Sequence, residues 1–296
     1  MKSKYHLTRE CAICNKILYY SCRESYIIAD KNNGLCKSCA VFNRNLKQNN
    51  LEVLLDNSLT SYYWIGFILA DGHIENNRRL QITLALKDIE HLKKFSEYVS
   101  CNMYIKTQCS VSPMHGKAIK ELSRIFDINP NKTIHPPKIE IFENLNRDQL
   151  LALFAGFIDG DGCIKNLHKR KDFQLAIKCH KSWLPILNYF GNSIFSKKYD
   201  AKINTAGYTT LMIGDSQILK DFKKQILLLN LPLLERKWDI IDFNFISRCE
   251  EAISRKKHFL KLVEDDKTLK EIAIDMKLSI ETIRYFNRKY IKNVKI

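Results

Sequence analysis

The sequence has no run of eighteen consecutive apolar residues, so it offers no membrane span. Its opening residues, MKSKYHLTRECAIC, carry no apolar stretch of the signal-peptide kind. They also lack the Arg- and Ser-rich, acid-poor character of a transit peptide. No disulfide framework is apparent: outside two CxxC pairs, Cys22, Cys101, Cys109, Cys163, Cys179 and Cys249 are scattered. The expectation is an intracellular, reducing compartment, with cytoplasm, phage-infected cell and organelle left undistinguished. Acidic charge is short as well, with 32 Asp and Glu against 48 Lys and Arg, a net of +16. That balance favours a polyanionic partner through counterion release, although a merely basic soluble protein would share it. Hydrophobic residues make up 45% of the 296-residue chain, which excludes general disorder.

The basic charge is concentrated at the ends. Residues 1–47 hold nine basic and three acidic side chains, and residues 248–296 hold thirteen and eight. This is the distribution expected if both ends add nucleic-acid contacts to a central body. Within residues 1–47, Cys11-Ala-Ile-Cys14 and Cys36-Lys-Ser-Cys39 form two chelating pairs. Four thiolates so arranged suit tetrahedral Zn²⁺. The 21 intervening residues, with a turn at Asn32-Asn33-Gly34, are predicted to form a short hairpin that brings the pairs together. Metal would supply folding energy to a segment too small to bury an adequate core. Residues 48–57 read as a linker, part of a polar, partly helical connector over 44–57.

Two matched blocks follow. Ser61 to Asp71-Gly72 and Asn146 to Asp161-Gly162 each read as an apolar helix stopping at Asp-Gly. Asn146 suits the N-cap, with Gln149 positioned for a capping box. Tyr62, Gly66 and Ala70 share one face of the first helix; Ala152, Gly156 and Gly160 share one face of the second. Small residues at every fourth position allow close helix approach. Each helix is too apolar to face water, so each is expected to be buried, plausibly on the other. After each helix comes an alternating stretch. Leu80, Ile82, Leu84 and Leu86 share one face in the first block; Phe173, Leu175, Ile177 and Cys179 do so in the second. Helical, strand-like and amphipathic helical segments then repeat. The chain thus reads as α+β, with halves 58–145 and 146–247 each built as αββαββα, and with Asp71 and Asp161 ninety positions apart.

Residues 248–296 differ. Two short helices flank a turn near Lys277–Ser279, with Ala273 small at the crossing and Leu278 and Ile283 filling the angle. This is the pattern of a helix-turn-helix, whose second helix would offer Arg284, Arg288, Lys289 and Lys292 to DNA. A helical hairpin bracing the core is the other reading. Ser254-Arg-Lys-Lys257 reads as the basic joint to the body.

WIGFILADG (64–72) and FAGFIDGDG (154–162) resemble the two copies of the LAGLIDADG motif of homing endonucleases. The resemblance covers about residues 58–247. It departs from the family at Leu69, where an acid is usual. It implies a single chain acting as a pseudo-dimer, with the two halves forming a saddle over double-stranded DNA and a staggered cut in both strands. It implies that Asp71 and Asp161 are catalytic and bind Mg²⁺, and that Lys132 and Lys237, near the start of the last helix of each half, stabilise the transition state. Gln81, Thr83, Gln174, Lys178 and His180 would face the major groove. Independently, two carboxylates at adjoining helix C-termini meet both the negative dipole end and each other, which calls for a cation. A non-cleaving DNA-binding regulator and an intron maturase acting on its own intron RNA are alternatives within the same family.

Overall fold

In the computed structural model, residues 7–40, 49–75, 78–167 and 172–291 are described. Lys292 and the connector's residues 44–48 lie outside them. At the N-terminus, Leu7–Glu10 (β1) pairs antiparallel with Ile17–Tyr20 (β2), and the helix Arg23–Lys31 (α1) follows. The hairpin therefore encloses the first CxxC pair and does not lie between the pairs, as the sequence reading had it. The 21-residue interval is long enough to hold a strand and a nine-residue helix. The turn at Asn32–Gly34 ends that helix, the Gly34 N–H donating to Ala29 O at 2.7 Å.

The segment predicted to be a linker belongs to the core. Leu51–Leu55 forms a 3₁₀ turn, and Leu51 and Leu54, three apart on one face, are fully buried. Next come Leu59–Asp71 (α2), His73–Glu75 (β3), Arg79–Leu84 (β4), Ile89–Tyr98 (α3), Met103–Ile105 (β5), Cys109–Val111 (β6) and Gly116–Phe126 (α4). The second half repeats the series. It contains Arg147–Asp161 (α5), Gly162–Leu167 (β7), Asp172–His180 (β8), Leu184–Ser193 (α6), Lys202–Ile203 (β9), Tyr208–Ile213 (β10) and Ser216–Leu227 (α7). The two antiparallel sheets run β3-β4-β6-β5 and β7-β8-β10-β9, the same order in each half. Both the α+β class and the repeat are thus observed.

The predicted alternation holds along β4, where Leu80, Ile82 and Leu84 are buried and Gln81 and Thr83 are exposed. It stops there. Leu86, expected on the inner face, is 44% exposed, because Leu86–Asp88 turns into a 3₁₀ helix that leads into α3.

Residues 61–69 of α2 and 150–159 of α5 are buried all round. This is what an all-apolar helix requires. One continuous core runs from Leu51 to Ile241 and joins the halves. A separate core forms where Arg248–Glu264 (α8), Leu269–Met276 (α9) and Ile280–Tyr290 (α10) pack around Phe259, Leu262, Ile272 and Ile283. The two-helix reading of 267–290 is observed, with Ser279 accepting from Thr282 N and Lys277 left-handed at the turn. The supposed basic joint at Ser254–Lys257 is instead the middle of α8. Ser247 and Glu250 form a capping box that starts the helix early. Among the described residues, no helix is long and apolar enough to cross a membrane.

Candidate active site

The two central helices touch backbone to backbone. A Cβ built on Gly66 would lie 1.8 Å from Leu153 O, and one on Gly156 would lie 1.8 Å from Tyr63 O. The near-identity of these distances reflects the two-fold repeat. Farther along, a Cβ on Gly160 would meet the Ala70 methyl at 2.2 Å. Any larger side chain would part the helices, so the small-residue faces bring the two C-termini together. Gly72 and Gly162 end the helices in extended conformation, not left-handed. Glycine is needed there because a Cβ would strike Ile68 O at 2.7 Å and Ile158 O at 2.6 Å.

Asp71 and Asp161 are the last residues of the two helices, and both reach solvent. Dense protein around them desolvates the carboxylates and raises both above the usual carboxylate range. For Asp161 the value is pushed to about 6 by burial and then by the charge of Asp71. The charge of Asp71, at the adjoining helix end, adds to the rise at Asp161.

Two buried lysines stand beside them. The ammonium of Lys132 donates to Ala70 O at 2.9 Å. That of Lys237 donates to Ile158 O, Asp159 O and Gly160 O at 2.9, 2.6 and 3.0 Å. Each therefore binds carbonyls at the C-terminal end of the helix in its own half and offsets the dipole end that disfavours the aspartates. Desolvation lowers both ammonium pKa values, while the aspartates oppose the shift. Neither lysine opens a last long helix, as the resemblance implied. Lys132 lies in a hydrogen-bonded turn after Asn129, and Lys237 in a single helical turn, Glu235–Trp238. Pro130 and Pro232 break the chain just before them.

At the motif's sixth position, which the resemblance implied would cap or structure the helix, the second copy keeps an acid that anchors it. Asp159, 2% exposed, accepts from Tyr63 Oη at 2.6 Å, Leu234 N at 2.9 Å and Trp238 Nε1 at 2.8 Å. Burial pushes it up to about 7 against these donors. Its counterpart Leu69 is buried without a polar partner to serve. A lone acid within an apolar helix was the available signal.

A cleft of about 370 Å³ opens beside Asp161, lined among others by Lys132, Lys178, His180, Trp183 and Tyr208. Gln81, Thr83 and Lys178 project from the exposed sheet faces, and Gln174 and His180 are half-buried there. His180 Nδ1 accepts from Ser182 N at 3.3 Å. The Lys178 ammonium lies 4.4 Å from the Tyr208 ring centre. Arg284 and Arg288 are exposed on α10.

In the N-terminal module the sulfurs of Cys11, Cys14, Cys36 and Cys39 all lie within 4.8 Å of one another. The Cys11 thiol is pulled down to about 6 by backbone N–H groups, first that of Cys36. Hydrogen bonds with Cys14 and Cys36 push the Cys39 thiol up instead; four sulfurs at this spacing fit a soft divalent metal. Cys22 stands apart, exposed, its sulfur 3.0 Å from Ser25 Oγ.

No protein-family profile matches the chain. Among curated proteins, a 187-residue stretch, 55% of this chain, is 25% identical to the probable phosphoenolpyruvate synthase of Methanocaldococcus jannaschii. The match spans 15% of that protein's length. Similar solved structures include the LAGLIDADG homing endonuclease I-GzeII in complex with its DNA target. That similarity has a TM-score of 0.38 and 14% identity over 73% of this chain and 96% of that one. The LAGLIDADG meganuclease I-AabMI bound to uncleaved DNA is another, with a TM-score of 0.43 and 12% identity over 66% and 91%. I-SmaMI bound to cleaved DNA gives 0.42 and 11% over 67% and 90%.

Proposed function

We propose that the chain is a DNA endonuclease of the LAGLIDADG homing type that hydrolyses one phosphodiester in each strand of a duplex. One observation carries this reading: two carboxylates, Asp71 and Asp161, stand on adjoining ends of close-packed helices, each with a buried lysine nearby. Nothing in the packing of two helices requires two acids at their unfavourable ends.

Asp71 and Asp161 would hold Mg²⁺. Their mutual repulsion and raised affinity for protons are those of a site that gains by binding a hard cation. Bound there, Mg²⁺ supplies activation of water and stabilisation of the leaving 3′ oxygen. The lysines keep positive charge at the site and oppose the negative charge that develops on the phosphate. Held by one scaffold carbonyl at Lys132 and three at Lys237, they lose little freedom when the duplex arrives. Gln81, Thr83, Gln174, Lys178 and His180 would approach base edges and phosphates from the two sheets. Arg284 and Arg288 would extend the contact through the C-terminal helices. Cys11, Cys14, Cys36 and Cys39 would hold one Zn²⁺ that folds the N-terminal module.

The test is substitution. Asp71→Asn and Asp161→Asn should each abolish double-strand cleavage and leave duplex binding nearly intact. Normal cutting by either variant would overturn the assignment.

A further inference from the structure

Each active-site lysine is carried by its own half but propped by the other. In the second half, the segment Leu233–Trp238 crosses to α3 of the first. Arg236 forms a two-pronged ion pair with Asp88, through Nε to Oδ1 and through its terminal nitrogen to Oδ2, the latter at 2.7 Å. Lys94 Nζ donates to Leu233 O at 3.2 Å and to Glu235 Oε1 at 3.0 Å. In the first half, the turn bearing Lys132 meets the start of α6. Trp183 Nε1 donates to Lys132 O at 3.1 Å, and Ser182 Oγ to Thr133 O at 3.4 Å. One prop is ionic; the other is a neutral indole and hydroxyl.

Lys132 also reaches across the halves. Lys132 and Asp161 line one cleft, with Trp183 in its wall. We infer that Arg236–Asp88 and Trp183 are positioning residues that set the two active-site lysines separately, Arg236–Asp88 for Lys237 and Trp183 for Lys132. This rests on the endonuclease reading above and deepens it. The two strands should then be cut by units of unequal support, and the ionic one should weaken first with salt, because the Arg236 side chain is 42% exposed.

The experiment has two arms on the full chain. In the first, which needs no DNA, lysines are reductively methylated and read one by one by mass spectrometry. Lys237, 8% exposed in the wild type, should label several-fold faster in Arg236→Gln, with Lys132 unchanged. Trp183→Phe should do the converse. In the second, a duplex recovered by cleavage selection from a randomised library carries a different label on each strand. Lys237→Met identifies the strand that depends on Lys237. Arg236→Gln should slow the same strand about tenfold to a hundredfold, as a small misplacement of a catalytic group does. Trp183→Phe should slow the other strand, and the exchange Asp88→Arg with Arg236→Asp should restore the first. If Lys237 labelling does not change in Arg236→Gln, the propping is refuted. If both strands slow equally, the separate positioning of the two lysines is refuted. If the wild type nicks no duplex, the endonuclease reading fails, and the labelling arm still decides the propping.

Discussion

Gly66→Ala tests the contact on which the whole site depends. The added methyl carbon would sit 1.8 Å from Leu153 O and 2.7 Å from Leu153 C. Ordinary contact begins near 3.4 Å, so α2 and α5 must separate by roughly 1.6 Å. The obstacle is helix backbone and cannot rotate away. Overpacking costs typically ~1–3 kcal/mol, and the upper end applies here. For a chain of this size that lowers the melting temperature by about 5–10 °C. Activity should fall further than stability, since Asp71 and Asp161 move with their helices and a displacement near 1 Å costs about a hundredfold in rate. The assay pairs thermal unfolding with duplex cleavage and uses Gly214→Ala as control. Gly214 has open space around the added methyl, and its change should stay within about 0.5 kcal/mol. Equal melting temperatures for the two variants would refute the close-contact argument.

Burial holds His91 down to about 3, with Nε2 3.2 Å from Tyr63 Oη and Nδ1 without a partner. A histidine depressed in the folded state contributes stability above its unfolded value near 6.5 and loses it as pH falls toward 3. The free energy of unfolding from denaturant titrations should therefore drop by up to about 1.4 kcal/mol per pH unit in that window, and His91→Leu should flatten the slope. Removing zinc with a chelator should unfold residues 7–40 and leave the melting of the main core in place. Purified protein should contain about one zinc per chain by elemental analysis, and none in metal-replete protein refutes the site. Arg284→Ala with Arg288→Ala should flatten the salt dependence of duplex binding by up to about two units without changing the melting temperature. An unchanged slope would make the C-terminal helices a brace.

What the sequence determined by itself is the periodic and covalent part. Two mostly apolar helices ending in Asp-Gly, small residues every fourth position, alternating strands and paired CxxC spacings are local patterns that can be read along the chain. Gly66, Gly156, Asp71 and Asp161 could all be named from them, as could the four thiols. What only tertiary structure decided is what each half does to the other. Leu51 and Leu54 look like part of a polar connector until the core that covers them exists. Leu86 continues an alternation that the backbone abandons for a turn. Asp159 becomes an anchor only because Tyr63, Leu234 and Trp238, far apart in the chain, converge on it. The pairing of Arg236 with Asp88 spans 148 positions. No local period encodes such a contact, because it depends on how two separately patterned halves are brought together by the packing of their central helices.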